Sequence, residues 1–435
     1  MLLKERSIAL YFIVALVPAN GLLIPIGRNW TPLQIAVIVL IGLQFIGLIL
    51  SRGNPRNAYV PKIIMCFFAL IIFISFNSYV FLPSKNEIKY ISGEFPIREY
   101  GKSSLLYFLW TIFNLVMVLS LYFEIDSRPK FNQVIKVLLY SSVFYAVYAL
   151  YQYIITSVLG DSSMGLVYIL KPEYLYGPEA IRSASLEREP LYYSFYLMGV
   201  LFLSFRLYEL KQFDQIPRKI LILVISINLL AFFLTKATSG FVGLIVGFVI
   251  YKNSLFRFKR VLRPSILLRN IFIFIVVIFG LSVFVFINKA MLFRRLQTVI
   301  SFDEGYVRIK SYIEGFEAFS AHPWIGIGIG NSPYFVSTEV IHNMYLSIAT
   351  EMGIPFLLVF LAFLIYLIVN LYKRKNTGIF EYAFLAYLIS TSVQWISFFN
   401  MNLPSFWFFC TLIVCLLFKR ELNSVKTDLE NIRLE

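Results

Sequence analysis

Residues 63–82 read IIMCFFALIIFISFNSYVFL and contain no charged side chain. A helix of roughly 20 apolar residues is long enough to cross a hydrocarbon core of about 30 Å. Similar runs recur through the chain, in which 59% of the 435 residues are hydrophobic and 14% are charged, against roughly 25% charged residues in soluble domains. A water-soluble fold could not bury so much apolar surface. The sequence therefore predicts an all-α, polytopic integral membrane protein.

The apolar runs predict about twelve transmembrane helices within a single membrane domain, residues 1–435. The first has a basic start but lacks a small-residue cleavage site, so we expect it to be retained and not removed as a signal peptide. The predicted spans lie near residues 8–27, 32–50, 60–83, 104–125, 134–159, 191–210, 219–235, 238–252, 270–288, 343–372, 380–399 and 404–418.

The net charge of +15 would suggest nucleic-acid binding in a soluble protein. With a cytoplasmic N-terminus, however, most of the basic residues fall in inner loops, such as 252–269 and 373–375, as the positive-inside rule requires. We therefore expect both termini in the cytoplasm and no nucleic acid as a partner. Three cysteines inside spans and only two histidines predict neither a metal site nor a cofactor.

Three outer segments are long, near residues 84–103, 160–190 and 289–342, and function is expected there because irregular polar backbone is excluded from lipid. We expect helices in the second and third segments to form an extracytoplasmic cap. Within the third, residues 304–320 predict an amphipathic helix on the membrane surface. One face would carry Tyr306, Ile309, Ile313 and Phe316, and the other Arg308, Ser311, Tyr312 and Gly315.

Both histidines of the chain, His322 and His342, lie in this large outer loop. His342 begins a stretch that predicts a short helix before Gly353 and Pro355 break it. The N-terminus of a broken helix suits an anionic group, although an ordinary helix cap at the headgroups would have the same sequence. Histidine is the commonest general base near neutral pH. Other possible bases are Glu304, Glu314 and Glu339.

The loop 160–190 carries acidic and basic side chains together, and arginine offers a planar fork for phosphate. A solvated loop with local ion pairs is the alternative, and we favour it for Arg188, which lies between Glu187 and Glu189. The glycines at 326, 328 and 330 lack the spacing of a dinucleotide site, so they favour a tight turn of main chain.

Arg308 with IKSYIEGFEAF, then HPWIGIGIGN, then HNMYLSIATEMGIPFLLVFLAFLIYL resembles the signature region of the O-antigen ligase and O-antigen or capsule polymerase family, over roughly residues 304–372. Upstream, IRSASLEREPLYYSFYL is similar to the family's second outer loop, with Arg182 at its arginine position. The hairpin TKATSGFVGL departs from the family, because Lys236 stands where members often carry Ser-Arg.

The resemblance implies a bacterial cytoplasmic-membrane glycosyltransferase that needs no metal and uses a glycan on undecaprenyl diphosphate at the outer face. It implies that Arg182 and Arg308 hold the diphosphate and that His342 activates the acceptor hydroxyl. Substrate-binding residues are then expected at Asn343, Lys236, Arg188, Tyr312 and His322, although His322 matches a position that shapes the turn.

Three functions compete. We prefer a polymerase that joins lipid-linked repeat units into O-antigen or capsular polysaccharide. A ligase would use the same donor and transfer the glycan to lipid A core or to a protein hydroxyl. A transporter of the lipid-linked glycan ranks third, because transporters place charged residues inside their spans. Expected partners are the donor, a glycan or lipid acceptor, membrane lipids, a chain-length regulator and a flippase.

Overall fold

The computed structural model describes most of the chain and its helices. The described residues are 2–19, 24–26, 28–50, 60–90, 100–155, 183–187, 189–210, 216–256, 303–374, 379–397, 402–419 and 422.

The described fold is helical apart from one small hairpin, in which β1 (Ile24–Ile26) pairs antiparallel with β2 (Arg28–Trp30). The helices are α1 (Leu2–Leu16), α2 (Pro32–Leu50), α3 (Lys62–Val80), α4 (Lys102–Glu124), α5 (Arg128–Tyr153), α6 (Pro190–Leu210), α7 (Arg218–Leu234), α8 (Thr238–Phe256), α9 (Asp303–Ala321), α10 (Ser332–Phe335), α11 (Met344–Arg374), α12 (Glu381–Gln394) and α13 (Pro404–Phe418).

A helix occupies each predicted span except 270–288, which lies outside the described residues. The first predicted span was placed too far along the chain, because α1 runs from Leu2 to Leu16 and the hairpin follows it. Among the described helices, α3, α4, α5, α6 and α11 are long and apolar enough to cross a membrane. Shorter apolar helices cover Pro32–Gly47, Thr238–Lys252 and Pro404–Phe418. The protein is thus a helical membrane protein with several spanning helices.

The bundle is densest around α6 and α13, whose residues are almost all buried. Small residues allow close helix approach, as in other membrane bundles: Gly199 of α6 faces the ring of Phe409, and Gly247 of α8 lies against Ser390 of α12 and Phe202. Near the start of α11, Gln394 donates to Ser194 Oγ at 2.7 Å, and Tyr345 donates to the Ser392 carbonyl at 2.8 Å. These contacts join α6, α11 and α12 next to the segment that carries His342.

The opposite end of the bundle is held by charged groups. The buried carboxylate of Glu124, at the end of α4, accepts from Arg6 at 2.7 Å and from Lys130 at 3.1 Å. Lys419, just after α13, donates to the Ile125 carbonyl at 2.7 Å. Four helix ends therefore meet on one face, and each bond to the buried carboxylate is charge-assisted.

Candidate active site

Helix α9 lies against the first turns of α11 through a face of small residues. Ser311, Gly315 and Ala318 recur at spacings of four and three and are buried. A Cβ on Gly315 would come within 3.0 Å of the Ile341 side chain, and Thr350 Oγ1 donates to the Gly315 carbonyl at 3.0 Å. The small face thus fixes α9 close to the segment that carries His342.

His342 stands immediately before the N-terminus of α11. Asn343 is the N-cap, because its Oδ1 accepts from the backbone N–H of Leu346 at 3.0 Å. This bond satisfies one of the free donors of the first turn. The capping alternative for this position is therefore confirmed, while substrate binding by Asn343 stays a prediction. The positive end of the helix dipole lies next to the imidazole.

Three of the predicted residues come together here. The Tyr312 hydroxyl donates to the carbonyl oxygen of His342 at 3.1 Å, and Arg308 lies one turn earlier on α9 with an exposed side chain. Partial burial and the positive charge of Arg308 both lower the pKa of His342. The imidazole is therefore neutral at pH 7, which is the form that can accept a proton.

The helix break predicted from Gly353 and Pro355 is present in α11. Gly353 has φ 80° and ψ 172°, and a Cβ there would collide with the Trp324 carbonyl. The N–H of Ile354, freed by the break, donates to the Pro323 carbonyl at 2.9 Å. The turn that follows His322 therefore supplies the acceptor that the broken helix lacks.

The three alternating glycines form a main-chain turn over this break, as predicted. Gly326, Gly328 and Gly330 all have positive φ, a conformation that costs glycine little. Gly328 N–H donates to the Glu351 carbonyl at 2.9 Å, and Gly330 N–H donates to Glu351 Oε2 at 2.9 Å.

Glu351 was missed in the sequence, although it is the one charged residue between 343 and 372. A lone ionisable group in an apolar run is a functional signal in membrane proteins. Here its oxygens hold the glycine turn.

His322 lies at the other end of the same loop in a different setting. Its Nε2 is 3.0 Å from Glu87 Oε2, and its N–H caps the end of α9 by donating to the Phe319 carbonyl. The first outer loop also reaches α10, where Lys89 N–H donates to the Tyr334 carbonyl at 3.0 Å. These contacts support a structural role for His322, and its predicted substrate contact stays a prediction.

Glu314 was one of the other possible general bases, and its surroundings argue directly against that role. Burial opposes ionisation, but hydrogen bonds from Ser337 and Tyr90 prevail and lower the pKa of Glu314. The Tyr90 hydroxyl and Ser337 N–H donate at 3.0 and 2.7 Å. Such a carboxylate is a weak base. Glu339 is exposed, and the side chain of Glu304 lies outside the described part.

Residues 221–361 match the O-antigen ligase family, Wzy_C. This part of the chain is similar to that family, and we use the name O-antigen ligase domain for the matched residues 221–361. No curated protein matches the chain. The O-antigen ligase domain extends from α7 into the second half of the broken helix α11, so it contains His342, Arg308, Tyr312 and the glycine turn. Arg182 and Arg188 precede it.

Lys236 also lies within the O-antigen ligase domain, at the turn between α7 and α8. It has φ 49° and is largely buried, with Nζ 5.3 Å from the centroid of the Tyr153 ring. The aromatic face favours a cation at this distance. Positive φ is uncommon for a residue with a Cβ, so the local backbone is constrained where the family often has Ser-Arg.

Arg182 and Arg188, outside the O-antigen ligase domain, are also outside the described residues. The segment between them is described and is buried. Ser183 N–H donates to the Leu234 carbonyl at 3.0 Å, two residues before Lys236. Gln152 Oε1 accepts from Ser183 Oγ and from the N–H groups of Ala184 and Ser185. Residues 183–187 are therefore packed against α5 and α7, while the solvated loop predicted for Arg188 lies outside the described residues and stays a prediction.

Proposed function

We propose that the protein is a membrane glycosyltransferase that polymerises undecaprenyl-diphosphate-linked repeat units into O-antigen or capsular polysaccharide. The observation that carries the proposal is the position of His342, whose carbonyl is bonded to Tyr312 of the helix that bears Arg308, at the N-terminus of a broken helix inside the O-antigen ligase domain. This arrangement supplies a base and a cation at one place.

The chemistry requires both groups. His342 takes the proton from an acceptor hydroxyl as its oxygen attacks the anomeric carbon of the donor. The bond from that carbon to the diphosphate oxygen breaks, and the electron pair leaves with the diphosphate. Arg308 and the dipole of α11 stabilise the negative charge that develops on the leaving group. A positioned base contributes roughly 10²- to 10⁴-fold to the rate.

Arg182 is proposed as the second cation on the diphosphate. Ser183, the next residue, donates to the Leu234 carbonyl, just before the turn that carries Lys236. Gly240, just after that turn, lies against Ser194 of α6. The bonds Gln394–Ser194 and Tyr345–Ser392 then join α6 and α12 to the start of α11. We further propose Lys236 and Arg188 as substrate-binding residues. Metal independence also remains a proposal.

The proposed topology has about twelve spans, cytoplasmic termini and a cap built from 160–190 and 289–342. The charged face formed by Arg6, Lys130 and Lys419 supports a cytoplasmic location for that end. Between cap and bundle we propose a basic cavity open to lipid, because a polyprenyl tail stays in the bilayer while its headgroup reacts. A chain-length regulator and a flippase are proposed partners in the bacterial cytoplasmic membrane.

The second candidate is a ligase that moves finished glycan to lipid A core or to a protein hydroxyl. The family match favours it, because the matching family is described as O-antigen ligase. Donor, base and leaving group are the same in both reactions. The acceptor alone separates them.

The test is complementation of a polymerase-null strain that carries the matching glycan cluster. Wild type is compared with His342→Ala, Arg308→Ala and Arg182→Ala at equal membrane expression. We expect wild type to restore a polysaccharide ladder and the three variants to leave single repeat units. If wild type itself leaves single repeat units, the polymerase proposal is wrong. A ligase assay with preformed lipid-linked polymer then tests the alternative.

A further inference from the structure

Helix α9 exposes a row of large apolar side chains on the side away from α11. Ile309, Ile313 and Phe316 are 51%, 56% and 60% exposed, and their spacings of four and three place them on one face of a helix. Single exposed apolar residues are normal on protein surfaces, but a contiguous group marks a binding surface. The sequence predicted this face, and the structure leaves it uncovered.

The row is extended by the turn that follows α9. Trp324 is 69% exposed and Ile325 is also exposed. The backbone at this point is fixed, because the Pro323 carbonyl accepts from Ile354 and the Trp324 carbonyl lies against Gly353. The indole of Trp324 therefore stays exposed on a fixed turn, and a large apolar group held at the surface in this way marks a binding site.

The glycine turn that follows Trp324 lies against the end of the membrane helix α3 and the residues just after it. Ser78 donates to the Glu351 carbonyl at 2.7 Å, and the Leu82 side chain lies against Gly328. The outer end of α3 exposes Phe76 and Phe81. In a spanning helix such a face meets lipid.

We propose that the α9 face, Ile309, Ile313, Phe316 and Trp324, docks on the outer leaflet of the bilayer, with the indole of Trp324 at the level of the headgroups. Interfacial helices bury their apolar face roughly 5–10 Å deep, and tryptophan is enriched at that level. Lys310, on the same helix, and Lys89, bonded to Glu317 of α9, are exposed and suit lipid phosphates. Continuity with α3 favours lipid over a protein partner.

Docking fixes the depth of Arg308, which lies on α9 next to Ile309. Its guanidinium is then held at headgroup level, where the diphosphate of a membrane-anchored donor is found. This consequence rests on the proposed function, whereas the docking itself does not.

The test measures the depth of Trp324 in the full-length protein reconstituted in phosphatidylcholine vesicles. The lipids carry bromine near the headgroup or near the chain end, and bromine quenches indole on contact. The Trp324 signal is the difference between wild type and Trp324→Phe. We expect headgroup-proximal bromine to reduce this signal roughly twofold or more and chain-end bromine to have a smaller effect. Trp324→Phe is conservative at an exposed position, so folding is retained.

A second variant reports on α9 itself. Phe316→Trp in the Trp324→Phe background moves the probe onto the helix, and it should be quenched by the same lipid. Quenching by acrylamide from the water alone would overturn the proposal. Protection from both lipid bromine and acrylamide would also overturn it, since a second copy or a protein partner would then cover the face. The same quenching in His342→Gln separates docking from catalysis.

Discussion

The two histidines of this chain lie between α9 and α11 and have different surroundings. His322 contacts a carboxylate, with Nε2 3.0 Å from Glu87 Oε2. His342 is near a cation, and partial burial together with the charge of Arg308 lowers its pKa. The first histidine holds two outer loops together. The second is neutral at pH 7 and lies at a helix N-terminus, so its environment fits it for proton transfer.

The two histidines also differ in where they lie along the backbone around α11. His322 begins the turn that covers the break in α11, and His342 begins α11 itself. Glu351 connects the two ends, because its carboxylate accepts from Gly330 and its carbonyl from Gly328. The positions of the structural histidine, His322, and of the candidate catalytic one, His342, are thus both fixed by contacts with the same broken helix.

The largest difference is expected between His342→Gln and His322→Gln. Glutamine can hydrogen-bond but cannot take the proton, so His342→Gln should lower kcat by roughly 10²- to 10⁴-fold. His322→Gln removes a partly exposed contact with a carboxylate and should leave kcat within about fivefold of wild type. The measurement is turnover of lipid-linked donor by purified protein in proteoliposomes. Equal losses in the two variants would contradict the distinction between the two histidines.

Removal of the neighbouring cation should have the next largest effect. Activity needs the neutral imidazole, so the rate falls as the pH drops through the pKa of His342. In wild type that fall should occur below the ordinary value of about 6.5. Arg308→Gln removes one cause of the lowered pKa of His342, so the loss of rate on acidification should begin at a higher pH. It should also reduce kcat by roughly 10²- to 10³-fold, because leaving-group stabilisation is lost.

The control for the Arg308 experiment is Lys310→Gln, which removes an exposed cation from the same helix two residues away. It should not change the pH at which the rate falls on acidification, which is the acidic limb of the pH profile. If Arg308→Gln also leaves the acidic limb unchanged, His342 does not titrate in the rate-limiting step.

The membrane class, the helices and the break at Gly353 could be predicted from the sequence because they depend on local signals. Run length identifies spans, and a glycine followed two residues later by a proline interrupts a helix. The face of α9 could also be predicted, since residues 309, 313 and 316 have helical spacing. The start of α1 was misjudged because hydropathy does not locate helix ends, and residues 7–27, which run into the hairpin, carry no charge.

Contacts between distant loops could not be predicted. The pairing of His322 with Glu87, and of Tyr90 with Glu314, joins residues more than two hundred positions apart, and no periodicity encodes such a pair. The sequence analysis expected Asn343 to bind substrate and gave a helix cap at this position only as an alternative. Glu351 could have been found from its isolation in an apolar run, because a carboxylate there needs donors.

A smaller effect is expected from Tyr312→Phe, which removes only the hydroxyl that donates to the His342 carbonyl. A hydrogen bond of this kind contributes about 1 kcal/mol net, so kcat should fall roughly fivefold. If the bond holds Arg308 near the imidazole, the acidic limb should also move slightly upward. Tyr90→Phe is the matched control, because it removes a hydroxyl bonded to Glu314 of the same helix. A larger pH shift in Tyr90→Phe would refute the positioning role.

The smallest effect should follow Glu87→Gln, which weakens the contact with His322 and leaves the turn in place. Both side chains are partly exposed, so the contact contributes less than about 1 kcal/mol to the free energy of unfolding. Thermal unfolding in detergent should show a slight decrease in Tm, and kcat should be unchanged. A double variant with His322→Gln tests the pair, because losses that merely add would show no coupling. A marked loss of activity in Glu87→Gln alone would show that the outer loop acts on the reaction through His322, and the contrast between the two histidines would then fail.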